Sequence, residues 1–195
     1  VTTGPRQLDR APVAHFERLA SESPDPWNYA TSAYEQAKYR RTLESLPEQT
    51  GRTAELGCSV GVFTRMLAPR CERLLAVDFS PTALARARRR LDGVPRVELE
   101  RRTLPEQTPE GPFETIVCAE ILYYWSEPLV EQGLRRIEAA LAPGGTLLAV
   151  HWRGADPRRE LGGDDVHAIL QRRTRLQWEQ GERTRDYLLD RWSAR

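Results

Sequence analysis

The chain has 195 residues, and its 29 basic side chains against 28 acidic ones leave a formal net charge of +1, with 39% hydrophobic and 29% charged residues. Such a length favours one domain around one core, and so even a charge balance excludes the basic footprint by which dedicated nucleic-acid binders displace counterions. Three cysteines without paired spacing (Cys58, Cys71, Cys118) exclude a disulfide scaffold, no apolar run nears the ~20 residues of a membrane span, and the opening VTTGPRQLDRAP lacks an apolar leader, so the expectation is a reduced, soluble, cytoplasmic domain.

Residues 1–30 carry Gly4, Pro5, Pro12, Pro24 and Pro26 with little apolar periodicity and read as an irregular arm. A helix follows over about 32–46, where Tyr34, Ala37, Lys38, Arg41 and Leu46 recur near helical spacing and Pro47 ends it. Lys38 is the only Lys; every other basic residue is Arg. From Arg52 short apolar runs alternate with helices. TAEL (53–56) leads through a glycine-containing loop into a helix reaching Met66 and Leu67. LLAVD (74–78) leads into a helix over 81–91, with Ser80 as a good N-cap and Pro81 suited to the first turn. VELE (97–100) and TIVCAE (115–120) give a third and a fourth strand. A helix over about 128–141 stops at PGG (143–145), TLLAVH (146–151) is a fifth strand, and 164–173 is a last helix. LQWEQ (176–180) and YLLDRW (187–192) close the chain as a hairpin turning around Gly181. Strands alternating with helices imply a doubly wound, mostly parallel α/β sheet covered on both faces.

In such a sheet, ligands bind beyond the carboxyl ends of the strands, where the strand order reverses. Three segments with unusual residues fall there. ELGCSVG (55–61) follows the first strand: Gly57 and Gly61 permit tight backbone passage, the small Ser59 leaves room for a ligand against the main chain, and Glu55 is the acid at the strand end. Asp78 ends the second strand, 17 residues past Gly61, where a carboxylate can accept both hydroxyls of a ribose diol. Glu120 ends the fourth. The dinucleotide pattern G-x-G-x-x-G does not fit, because Ser59 and Val62 stand at its second and third glycine positions. An adenosine ligand without a pyrophosphate suits the spacing better.

ELGCSVG followed by LLAVD resembles the class I S-adenosylmethionine (SAM) methyltransferases, whose first strand ends in an acidic-x-Gly-x-Gly-x-Gly turn. DPWNY (25–29), SAYEQAKY (32–39), CAEILYY (118–124), PGGTLLAVHWRG (143–154) and GDDVH (163–167) narrow the resemblance to the nodulation protein S-type N-methyltransferases, over about residues 25–195. The resemblance implies a Rossmann-like, seven-stranded sheet with an N-terminal helical cap and a C-terminal antiparallel hairpin. It implies SAM as cofactor, S-adenosylhomocysteine as product, and methyl transfer to the nitrogen of a small polar amine such as an amino sugar or modified oligosaccharide. It also implies SAM contacts from Trp27, Tyr34, Lys38, Glu55, Gly57, Ser59, Gly61, Asp78, Phe79, Ser80, Thr103, Leu104 and Glu120. Two departures stand out. Thr103 occupies the position of the usual adenine-binding Asp, which shifts adenine recognition to a hydroxyl, the neighbouring backbone and Leu104. EILYY replaces N-P-P-Y after the fourth strand, which argues against nucleobase or glutamine-amide acceptors.

Plainer readings compete at several positions. Cys58 is a small filler of the turn, with no His nearby in sequence to activate it. RARRR (86–90) reads as a solvated helix face. His15, His151 and His167 show no metal-ligand spacing, and His167 reads as a surface or capping residue. Trp27, Tyr29, Tyr34 and Tyr39 either pack the arm onto the domain or form a lid, with Tyr and Lys38 side chains reaching the methionine carboxylate. The chain divides into an arm and cap (1–46) and one SAM-binding unit (47–195). Glu120 is expected to hold the acceptor amine, Tyr123 and Tyr124 to wall it in, and His151 either to point into the pocket, as the base should the acceptor be a hydroxyl, or to pack structurally. O-methylation of a natural-product hydroxyl and a non-catalytic SAM-binding module remain as alternatives. The expected partner is a small-molecule acceptor, without nucleic acid or membrane, for a monomer or homodimer.

Overall fold

A computed structural model describes residues 13–157 and 159–195. In chain order the elements are α1 (Val13–Glu22), α2 (Ala33–Glu44), β1 (Gly51–Leu56), α3 (Val62–Leu67), β2 (Cys71–Asp78), α4 (Pro81–Arg90), β3 (Val97–Arg101), β4 (Phe113–Ala119), α5 (Glu127–Ala140), β5 (Leu141–Trp152), α6 (Gly163–Arg173), β6 (Gln177–Arg183) and β7 (Tyr187–Ser193). The strands form one seven-stranded sheet in the order β3-β2-β1-β4-β5-β7-β6. β1 pairs in parallel with β2 and β4, β5 continues in parallel, and β7 and β6 run antiparallel. The order reverses between β1 and β4, so the carboxyl ends of β1, β2 and β4 open onto one crevice.

Alternation along the central strands sends neighbouring side chains to opposite faces. On β4, Ile116 and Cys118 pack with Leu134 and Ile137 of α5 and Ile169 of α6, around Trp192. Val117 faces the other way, toward Tyr39 and Leu43 of α2 and Phe63 and Leu67 of α3. β5 divides likewise, Leu147 and Ala149 going to the first face and Leu148 and Val150 to the second. Burial on both faces is why these strands read as continuous apolar runs. The Ser80 hydroxyl caps α4 by accepting from the Ala83 N–H at 2.9 Å, with Pro81 at the first helical position.

The arm is less irregular than its prolines imply. Gly4, Pro5 and Pro12 lie outside the described residues, but α1 follows them, turning Val13, Phe16 and Ala20 to one side. The terminal hairpin does not turn at Gly181. It turns over residues 184–186, where the Thr184 N–H donates to the Tyr187 carbonyl at 3.0 Å, while Gly181 pairs with Asp190 inside the ladder. A Cβ on Gly181 would lie 2.1 Å from Asp190 Oδ1, so this glycine admits a carboxylate instead of bending the chain. Glu120 lies one residue beyond β4, at φ 58°.

Candidate functional site

The crevice is floored by the turn after β1. Gly57 has φ +85°, and a Cβ there would lie 2.2 Å from Ile121 Cγ2, so the main chain passes too close to the loop after β4 for any side chain. Ser59 is also left-handed, at φ 48°, and its N–H donates to Asp78 Oδ2 at 2.9 Å. Asp78 Oδ1 accepts from the Ser80 N–H at 2.9 Å. One carboxylate thus ties the turn to the start of α4; burial raises its pKa against those stabilising amides. Gly57, Ser59, Asp78, Phe79 and Ser80 line a cleft that Thr103, Leu104 and Glu120 complete. Glu55 and Gly61 stand behind this wall. Burial pushes the Glu55 carboxyl up to about 7, the Thr64 hydroxyl opposing and the Asp78 charge adding to the shift. Its Oε2 has no hydrogen-bond partner.

α1 roofs the cleft, and sequence reasoning missed it. Val13, Phe16 and Ala20 face inward beside Trp27 and Tyr29. The Glu17 carboxylate accepts from the hydroxyls of Ser80, at 2.5 Å, and Thr82, and the Arg86 guanidinium donates to the Ser23 carbonyl. Phe16 meets Tyr124 and Phe79 edge-on, at centroid distances of 4.7 and 6.0 Å. The helix therefore spans from α4 to the loop after β4. Trp27 stacks on Tyr29 at 5.5 Å, and Tyr29 leads through Tyr39 to Phe63, so the aromatic series both packs the arm and roofs the cleft.

Glu120 is held from three sides. Its Oε1 accepts from Lys38 Nζ at 2.6 Å, and its Oε2 accepts from the Tyr123 hydroxyl and from the Trp152 N–H, the latter at 2.9 Å. Lys38 also donates to Glu35 at 3.1 Å. Burial alone would depress this lysine, but the two carboxylates outweigh it and hold its pKa raised. Tyr34, whose ring centroid is 5.0 Å from Lys38 Nζ, joins Lys38, Glu35, Tyr123, Trp152 and Arg159 around a second chamber. The two chambers share Phe16, Trp27, Tyr29, Glu120 and Tyr124. Glu120 stands at their junction.

His151 does not point into either chamber. It is fully buried, and burial drops its pKa well below the ordinary imidazole value. Its Nε2 accepts from the Leu122 N–H at 3.2 Å, and its Nδ1 lies 3.1 Å from His167 Nε2. His167 is buried as well, not at the surface, and its Nδ1 lies 2.6 Å from Asp190 Oδ2. Alternation was the available signal: His151 follows Leu147 and Ala149 onto the face beneath α6. Cys58, Cys71 and Cys118 are free and buried, with thiols pushed up by burial, Cys118 to about 12. Among the described residues no group of His, Cys, Asp and Glu is arranged to hold a metal ion, and no helix is long and apolar enough to cross a membrane.

Residues 13–173 match the model of the family described as Nodulation protein S (NodS). The Nodulation protein S of Bradyrhizobium diazoefficiens is 38% identical over 133 residues, which is 64% of this chain and 61% of that protein. The chain thus spans about three fifths of that relative's length. The Nodulation protein S of Sinorhizobium fredii is 31% identical over 170 residues, 84% of this chain and 77% of its own. A crystal structure of the N-methyltransferase NodS from Bradyrhizobium japonicum, in complex with S-adenosyl-L-homocysteine, superposes with a TM-score of 0.81 at 27% identity, over 93% of this chain and 97% of the other. With its seven-stranded Rossmann-like sheet of the class I methyltransferase type, the chain belongs to the Nodulation protein S family.

Proposed function

We propose that this protein is a SAM-dependent methyltransferase acting on the nitrogen of a small, polar, amine-bearing acceptor of the amino sugar or modified oligosaccharide class. The observation that carries the reading is the position of Glu120, where an inner cleft and an outer chamber meet. The inner cleft suits SAM. Gly57 leaves the main chain bare where a Cβ would collide, the Asp78 carboxylate has lone pairs left for a ribose diol, and Thr103 and Leu104 border the space for adenine. Glu55 Oε2, buried and without a partner, sits behind the turn and lines neither chamber. When bound, SAM supplies the sulfonium methyl for an in-line displacement. Of the arm and cap expected over 1–46, the described residues 13–46 act as the cap of this site, and the unit from residue 47 onward supports it.

The outer chamber suits a cation. Among the described residues, Glu35 and Glu120 line it beside the rings of Tyr34, Tyr123 and Tyr124, and carboxylates and aromatic faces both favour an ammonium. Glu120 would hold the incoming amine and take its proton, freeing the lone pair for attack, while Lys38, Tyr123 and Trp152 keep the carboxylate in place. α1, Trp27 and Tyr29 exclude water, and alignment of two reactants in such a site contributes as much as ~7–11 kcal/mol. O-methylation through His151 is disfavoured, since both its ring nitrogens are engaged away from the chambers. An acceptor panel of amino sugars, simple amines and phenols, scored by mass shift and S-adenosylhomocysteine release, tests the reading. Methylated amino sugar or amine is the expected product. Methylation of phenols alone would overturn the nitrogen assignment, and SAM binding without turnover on any acceptor would favour a binding module.

A further inference from the structure

The segments HWRG and GDDVH contribute two histidines that reach neither chamber, yet these join Asp190 in one buried chain of hydrogen bonds beneath the loop that carries Glu120. We propose that His151, His167 and Asp190 are positioning residues, a proton-ordered relay that fixes the loop from Glu120 to Tyr124 and so aims the Glu120 carboxylate at the outer chamber. This rests on the role proposed above for Glu120.

The order of protons follows from the two ends of the chain. The Leu122 N–H can only donate, so the His151 Nε2 it meets at 3.2 Å must be a lone pair. A neutral imidazole then keeps its proton on Nδ1, which donates across 3.1 Å to His167 Nε2. That leaves the His167 proton on Nδ1, donating across 2.6 Å to Asp190 Oδ2. Asp190 is fixed in turn by Arg183 Nη2 at 2.7 Å and Trp178 Nε1 at 3.0 Å. No member of the chain can reverse without setting a donor against a donor.

The surroundings are shaped for this chain. Gly181 admits the Asp190 carboxylate, and a Cβ on Gly163 would lie 2.5 Å from the Trp152 carbonyl, so that glycine lets α6 bring His167 up to β5. β5 grips the loop on both sides of His151: the Val150 carbonyl accepts from the Glu120 N–H at 2.9 Å, and the Trp152 N–H donates to the Glu120 carboxylate. His151 adds the hold on Leu122 and an edge contact to the Tyr123 ring at 5.2 Å. A residue at φ 58° needs such over-determination to stay in place.

The test begins with two-bond nitrogen–proton correlation spectra of the full chain labelled with nitrogen-15 histidine, at pH 7 and without ligand. Both His151 and His167 should be neutral with the proton on Nδ1. An Nε2–H form or an imidazolium at either position overturns the relay, whatever the acceptor proves to be. Asp190→Asn trades one acceptor oxygen for an NH2 donor, so His167, Arg183 and Trp178 can no longer all keep an acceptor and the far end of the chain is loosened. It should speed exchange of the Leu122 amide and lower kcat roughly 10–100-fold, with SAM affinity within about twofold of wild type. Gly181→Ala, which presses a methyl group onto Asp190, is a milder second variant that should move the same readouts in the same direction. Unchanged exchange of the Leu122 amide in both variants would overturn the relay, and wild-type kcat in a folded variant whose Leu122 amide exchanges faster would overturn the link to Glu120. Failure of the acceptor panel leaves the spectra decisive for the relay and counts only against the proposed function.

Discussion

Two carboxylates flank β1, Asp78 buried and Glu120 partly buried, and they are held in opposite ways. Asp78, at the end of β2, is gripped by main-chain amides of Ser59 and Ser80, the turn and the helix start beside it. Glu120, beyond β4, is gripped by Lys38, 82 positions away, by Trp152, 32 positions away, and by its neighbour Tyr123. The first arrangement belongs to the local backbone and survives changes of distant side chains. The second exists only when α2, β5 and the loop after β4 converge. The difference teaches that the cofactor half is organised by adjacent main chain and the acceptor half by contacts between elements distant in sequence, so substitutions in the two halves should separate binding from turnover.

The sharpest way to break that division is Glu120→Gln, which keeps size and removes charge. Turnover should fall ~10²–10⁴-fold, the usual span for losing a general base. Wild-type turnover, measured by S-adenosylhomocysteine release, would remove Glu120 from the chemistry. Glu55 sharpens the cofactor half through pH. Its folded pKa of about 7 lies above the ordinary 4.5, so between those values the folded state keeps a proton that the unfolded state has released. The contribution of this carboxyl to ligand-free stability should therefore decline by ~3 kcal/mol as pH rises from 4.5 to 7, against the opposite trend from buried His151, and Glu55→Gln should remove that contribution from the difference between urea titrations at pH 5 and pH 8. Asp78→Ala removes a charged acceptor whose hydrogen bonds are worth ~1.5–3 kcal/mol each, and SAM affinity should weaken at least tenfold. The smallest effect belongs to the roof. Glu17→Ala unties α1 from α4, and stopped-flow measurement should show SAM release faster by roughly three- to tenfold, with an unchanged rate detaching α1 from cofactor retention.

What was legible in the sequence follows the same division. Gly57, Ser59, Gly61 and Asp78 could be located because strand ends, glycine turns and N-caps are local, and the parallel order of the first five strands follows from their alternation with helices. Glu120 was found by its place at a strand end, but its bond to Lys38 was not, because nothing local joins residues on α2 and beyond β4. The solitary Lys38 was noticed without its partner. α1 was hidden by flanking prolines, which outweighed its one apolar side. Gly181 was misread as a turn because glycine marks both bends and close approaches, and only Asp190 opposite it decides between them. His151 stood open between pocket and packing although the period-two pattern of β5 already sent it beneath α6.

The division between the halves is tested most directly by calorimetric titration of SAM into Asp78→Ala and Glu120→Gln side by side with the wild-type chain. Asp78→Ala should bind SAM at least tenfold more weakly, and Glu120→Gln should bind it within about twofold of wild type although its turnover is lost. Equal loss of SAM affinity in both variants, or wild-type affinity in Asp78→Ala, would contradict it.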